Sequence, residues 1–171
     1  MHCRNFRCAC YAVCTCACTF LTFLTCKILQ AELLPPSLEE ILLRSCGISV
    51  IICNTHDSPE RPLLPRLRTL NMSQNFLKDI PSCMLPACLV TLDVCNNFLT
   101  DLPASLTSMP GLWNLFVSEN KLSSLPAWTI DLAALRRFAY SGNPIAPSPE
   151  QRQLAANVQM SINLRELARK G

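Results

Sequence analysis

Four stretches of this chain repeat one pattern in fixed phase, and that repetition constrains the fold more than any other feature. "LRTLNMSQNFLKDIP" starts at Leu67, "LVTLDVCNNFLTDLP" at Leu89, "LWNLFVSENKLSSLP" at Leu112 and "LRRFAYSGNPI" at Leu135, so the starts lie 22, 23 and 23 residues apart. The shared pattern is L-x-x-L-x-L-x-x-N-x-L-x-x-L-P. Met72, Val94, Val117 and Tyr140 fill its third apolar position, and Asn75, Asn97, Asn120 and Asn143 its turn. An earlier copy runs through Leu38, Ile41, Leu43, Cys46 and Ile48, with Cys at the turn. The next start is 29 residues on, which makes residues 49–66 a longer, irregular connection. A single unit of this size cannot bury its own leucines. Stacked units supply the missing wall, so the pattern predicts a solenoid.

Each coil carries its own local logic. In the coil from Leu89, Leu92 and Val94 are two apart and face the same side of a strand. Asn97 then ends the strand, and its side-chain amide is expected to bond the backbone of adjacent coils. Leu99 and Leu102 turn back to the interior. Pro103 opens the return segment, where no ladder donor is required.

These residues resemble leucine-rich repeats, which carry Asn or Cys at the turn. The L-P ending at a 22–23-residue period is similar to the typical intracellular kind in Ras-suppressor-like and Scribble-like proteins. The resemblance implies an α/β fold: a short solenoid over residues 34–147, with a parallel inner sheet of about five strands. It further implies a non-enzymatic interaction module, an intracellular scaffold or signalling protein in the cytoplasm.

Both ends of the array differ from its middle. Residues 148–171 read as a capping helix. Ser148 suits the N-cap, Pro149 the first helical position, and Gln151 completes an S-x-x-Q box. Leu154, Val158 and Ile162 share a face that Leu164 and Leu167 widen. Arg165, Arg169 and Lys170 suit the C-terminal dipole. The expected role is a lid over the last coil rather than a partner-binding helix. Residues 1–33 form a Cys-rich, hydrophobic leader, expected to be disordered, a signal or an anchor. Residues 8–26 carry no charge, but their Cys and Thr content makes a poor lipid-facing helix. Seven of the twelve cysteines lie in the first 26 residues, which is not the distribution of a disulfide-stapled small domain.

Catalytic constellations are missing from the sequence. Its two histidines, His2 and His56, lie in the leader and in the irregular connection. There is no G-x-S-x-G, no phosphate-binding glycine loop and no H-E-x-x-H. Cys83 and Cys88 read as structural residues of the return segment, not as metal ligands. Cys95 falls on the concave side without an identifiable base beside it. A net charge of +3 is too mild to point to nucleic acid. Membrane contact is expected only through residues 8–26. The expectation is therefore a monomer that uses no cofactor or metal and binds a protein.

The strand positions between the core pairs form the surface left for that partner. The candidate residues are Arg44, Asn71, Ser73, Asp93, Cys95, Trp113, Asn114, Phe116 and Arg137. Most concave positions are small and polar. Phe116 breaks that rule, with Trp113 on the flank of its strand and Arg137 next door, the composition of a binding hot spot. A secreted or membrane-tethered recognition receptor, and a fragment of a longer array, remain alternative readings.

Overall fold

The computed structural model describes residues 5–7, 28–53 and 63–168. Its strands, in chain order, are β1 (Asn5–Arg7), β2 (Ile28–Gln30), β3 (Glu40–Leu42), β4 (Val50–Ile52), β5 (Thr69–Asn71), β6 (Thr91–Asp93), β7 (Asn114–Phe116) and β8 (Arg137–Ala139). One helix, α1, spans Pro149–Leu167. A parallel sheet runs in the order β1-β3-β5-β6-β7-β8, and β2 pairs in parallel with β4. The five strands from β3 to β8 in that sheet are the five repeats. β1, drawn from the segment read as a leader, adds a sixth strand beside β3.

Near-constant coil length puts like residues in register. Leu70, Leu92, Leu115 and Phe138 align across β5 to β8. The first three are fully buried. Leu43, Met72, Val94 and Val117 lie behind them, also buried. Tyr140, in the same column of the last coil, is only half-buried and packs its ring 5.0 Å from that of Phe138. Inward apolar burial of this kind is the main driving force for the stack.

The asparagines form the expected ladder. Asn75 Nδ2 donates to Leu43 O at 2.7 Å, Asn97 to Met72 O at 3.0 Å, Asn120 to Val94 O at 2.9 Å and Asn143 to Val117 O at 3.0 Å. Each amide thus reaches into the preceding coil. Its oxygen accepts a backbone N–H there as well: Ile48, Leu77, Leu99 and Leu122 in turn. Before each turn residue the backbone is left-handed, with φ 57° at Ser45, 58° at Gln74, 55° at Asn96, 55° at Glu119 and 70° at Gly142. Only the last is a glycine, so four coils hold a side chain in a sparsely occupied region to make the corner.

The L-P endings also take the predicted role. Pro81, Pro103 and Pro126 cap short 3₁₀ turns at Ser82–Met84, Ala104–Ser108 and Ala127–Asp131. Within the connection expected to be irregular, Val50–Ile52 forms β4, and residues 54–62 of it lie outside the described residues. Cys53 then bonds to Cys83, fastening that connection to the return segment of the next coil. The neighbouring Cys88 is exposed, and its thiol donates to Pro65 O and Leu67 O, both at 3.2 Å.

Helix α1 packs against Ala127–Asp131 of the last coil. Val158 and Ile162 are buried, and Leu154 half-buried. Two details differ from expectation. Leu164 and Leu167 do not widen the packed face; they are exposed, with Met160 one turn before. Ser148 Oγ accepts from Gln151 N at 3.2 Å, but the Gln151 side chain does not complete the box. Its Oε1 instead accepts from Leu125 N at 2.7 Å, tying the helix to the last coil. Arg165 sits in the last helical turn as expected, and it also donates to Leu132 O at 2.7 Å. Among the described residues, no helix is long and apolar enough to cross a membrane. Residues 8–26 lie outside them.

Candidate protein-binding face

Strand alternation determines the outer face of the sheet. Residues on either side of Leu70, Leu92 and Leu115 point away from the interior. They form two rows in register: Thr69, Thr91, Asn114 and Arg137 in one, and Asn71, Asp93, Phe116 and Ala139 in the other.

The first row is half-buried until its end, where Arg137 is exposed. Asn114 Nδ2 donates to Thr91 Oγ1 at 2.9 Å, a cross-strand tie that fixes the amide and leaves its oxygen outward. In the second row, Asn71 Nδ2 donates to Asp93 Oδ2 at 3.1 Å. The other oxygens face forward along their own strands. Asp93 Oδ1 accepts from Cys95 N at 3.1 Å, and Asn71 Oδ1 accepts from Ser73 Oγ at 2.7 Å. These bonds hold both side chains flat along the sheet.

Several candidates sit differently from their predicted surroundings. Ser73 is buried rather than outward, because its hydroxyl turns onto Asn71. Phe116 is half-buried between Asp93 and Ala139, and Arg137 opposes Asn114 instead. The arginine that does engage an aromatic ring is Arg136, whose guanidinium carbon lies 3.6 Å from the centroid of Trp113. Arg44 is exposed at the first repeat, where its Nε donates to Gln74 Oε1 at 3.2 Å. Cys95 is a free, half-buried thiol. Burial, and then the neighbouring Asp93 carboxylate, push it up to about 11. At neutral pH it is thus a protonated thiol and a poor nucleophile.

Sequence reading overlooked two aromatic features. Arg136 was passed over for the residue after it. Phe76 and Phe98 follow the turn asparagines of adjacent coils and are both exposed, with ring centroids 6.0 Å apart. Their shared place in the repeat, N-F-L, was the available signal. An outward position after a turn residue carries no apolar expectation, so nothing drew attention to it.

The geometry agrees with what the chain resembles among known proteins. One family profile, "Leucine Rich repeats (2 copies)", matches residues 65–108, and another, "Leucine rich repeat", matches residues 88–145. The chain thus has the leucine-rich repeat fold, and residues 65–145 are similar to repeats of that family. Leucine-rich repeat domains are typically non-enzymatic binding modules.

A leucine-rich repeat protein of Leptospira interrogans superposes with a TM-score of 0.59 and 25% identity, over 75% of this chain and 32% of that one. A chain in the BIR3–SERK2 complex from Arabidopsis thaliana does so with a TM-score of 0.50 and 34% identity, over 59% of this chain and 54% of that one. This chain therefore spans about a third of the first and about half of the second. No curated protein sequence matches the chain significantly.

Proposed function

We propose that the chain binds a protein partner on the outer face of its sheet, with Trp113, Asn114, Phe116 and Arg137 at the centre and no enzymatic step. The supporting observation is the contrast between two sets of strand positions. Inward positions repeat from coil to coil, whereas outward ones change across the last three coils, from Thr91 to Asn114 to Arg137 and from Asp93 to Phe116 to Ala139. Packing accounts for the first set and leaves the second unexplained. The BIR3–SERK2 structure, itself a complex of two proteins, is consistent with such use. Pull-down with the wild type and with Phe116→Ala/Arg137→Ala tests the site. The double variant is expected to lose a partner. Equal capture of every partner by both would remove this site.

The L-P ending and period support an intracellular scaffold or signalling role in the cytoplasm. One observation favours a second reading, a secreted or membrane-tethered recognition module: the Cys53–Cys83 bond, since disulfides persist in oxidising compartments. Cell fractionation with N-terminal sequencing separates the two. A mature chain that starts after residue 26 would exclude the cytoplasmic reading.

A further inference from the structure

The residue after the first leucine of each coil lies where the chain enters the sheet. These residues are Glu39, Arg68, Val90, Trp113 and Arg136, and backbone hydrogen bonds stitch them into one row. Arg68 N donates to Glu39 O at 2.8 Å, Val90 N to Arg68 O at 2.8 Å, Trp113 N to Val90 O at 2.9 Å and Arg136 N to Trp113 O at 2.8 Å. Arg66 borders the same edge, in a shallow groove it shares with Glu39, Pro65, Arg68 and Cys88. Arg137 follows Arg136 and is exposed.

Among the described residues, none of these four arginine side chains forms a hydrogen bond or an ion pair. Arg136 is the most constrained of them. It rests on the Trp113 ring, and its Nε is shielded from water without a partner. The ring therefore fixes the guanidinium before anything binds, which lowers the ordering cost of a contact.

We propose that this edge docks an extended, acidic segment of the protein partner, with carboxylates held by Arg68 and by Arg136. The inference rests on the protein-binding reading of the adjoining face. Guanidinium groups match carboxylates in a fork of two hydrogen bonds, and unpaired ones on a single edge make a complementary surface. Arg68 and Arg136 lie three strand spacings apart, about 14 Å. An extended peptide crosses that distance in about four residues. The segment thus runs across the strands, with acidic residues about four apart. Glu39 closes the row at the first repeat, so the segment end nearest it carries no acidic residue.

The probe is a fluorescein-labelled peptide with two Glu pairs four residues apart in a Gly/Ser frame, and its Gln counterpart. Binding to the full chain is read by anisotropy at low salt. The Glu peptide is expected to bind and the Gln peptide not to. Arg68→Glu/Arg136→Glu is expected to weaken the Glu peptide by about ten-fold or more. Lys78→Glu/Lys121→Glu makes the same change in net charge away from this edge and is expected to leave it within about two-fold. Equal losses in both variants, no binding of the Glu peptide, or tighter binding of a ten-nucleotide single strand would each overturn the proposal. Pull-down with the same variants separates it from the broader reading. If Phe116→Ala/Arg137→Ala loses a partner that Arg68→Glu/Arg136→Glu retains, protein binding stands and the acidic dock falls.

Discussion

The coil from Leu89 and the coil from Leu38 present the same strand to the same sheet but close it differently. Both turn through a left-handed residue, Asn96 at φ 55° and Ser45 at φ 57°. In the first, Asn97 donates back to Met72 O and to its own Val94 O, and it accepts from Leu77 N. In the second, Cys46 has no amide to send back, and its thiol donates to Arg44 O at 3.5 Å. Its backbone N–H and that of Ile48 are instead both held by Asn75 Oδ1 of the next coil, at 3.1 and 2.9 Å. The asparagine ladder therefore has a direction. Every amide serves the coil before it, so a coil can lose its own asparagine and keep its turn if the next coil has one.

The largest effect is expected from the part the two coils share. Leu92→Ala empties a fully buried position between two strands, and should cost about 2–5 kcal/mol. A cooperative urea melt measures it. A change below about 1 kcal/mol would mean that this interior collapses around the gap and is not packed as described.

The turn residues test the comparison itself. Asn97→Ala strands buried carbonyls at Met72 and Val94 and the N–H of Leu77, and should cost about 3 kcal/mol. Cys46→Ala should cost less than about 1 kcal/mol, since the turn is held from the neighbouring coil. Equal losses would break the directional reading. Asn75→Ala then sharpens it, because its damage should appear in the first coil, as faster amide exchange at Cys46 and Ile48.

The first coil has a fastening that the regular coil lacks. Cys53→Ser/Cys83→Ser opens a cross-link between residues 30 apart and should cost about 2–4 kcal/mol. Loss of protection should concentrate in residues 46–53. If the whole array loosened equally, this cross-link would be holding more than the irregular connection.

The contrast also separates what the sequence disclosed from what it hid. Leucines, turn asparagines and prolines recur at fixed offsets because each answers a demand that every coil makes. Their strands, ladder and 3₁₀ turns could thus be read from spacing alone. Cys53 and Cys83 meet once, through a connection of unequal length, and no period can announce a single event. Local helix rules put the Gln151 side chain on its own helix end, but the last coil offered the N–H of Leu125, and tertiary demand took it. Arg165 keeps its place in the last turn and meets the Leu132 carbonyl as well. The candidate face was legible as a face, because alternation fixes which residues point outward. Its pairings were not. Phe116 and Arg137 are close in the repeat, yet register opposes them to Ala139 and Asn114. Ser73 obeyed the alternation rule but is buried, its hydroxyl folded onto the side chain of outward Asn71.

The smallest expected effect lies at the last outward strand position, where the first coil has Arg44 and the coil from Leu89 has Cys95. Arg44 is exposed and Cys95 half-buried beside Asp93. The thiol is raised from 9.0 to about 11, so at pH 8 its thiolate is about 100-fold scarcer than that of an ordinary cysteine. Alkylation by iodoacetamide, followed by peptide mapping, should label exposed Cys88 well before Cys95. Labelling of Cys95 should then rise with pH up to about 11. The sign for stability follows from the same shift. Between pH 9 and about 11 the unfolded thiol has lost its proton and the folded one keeps it, so folding weakens as pH rises through that window. Replacing Asp93 with Asn removes the second cause of the shift and leaves burial, the first. Cys95 should then label faster at pH 8 but still behind Cys88. Equal rates for Cys95 and Cys88 in the unaltered protein would show that this strand end is as open as its counterpart at Arg44.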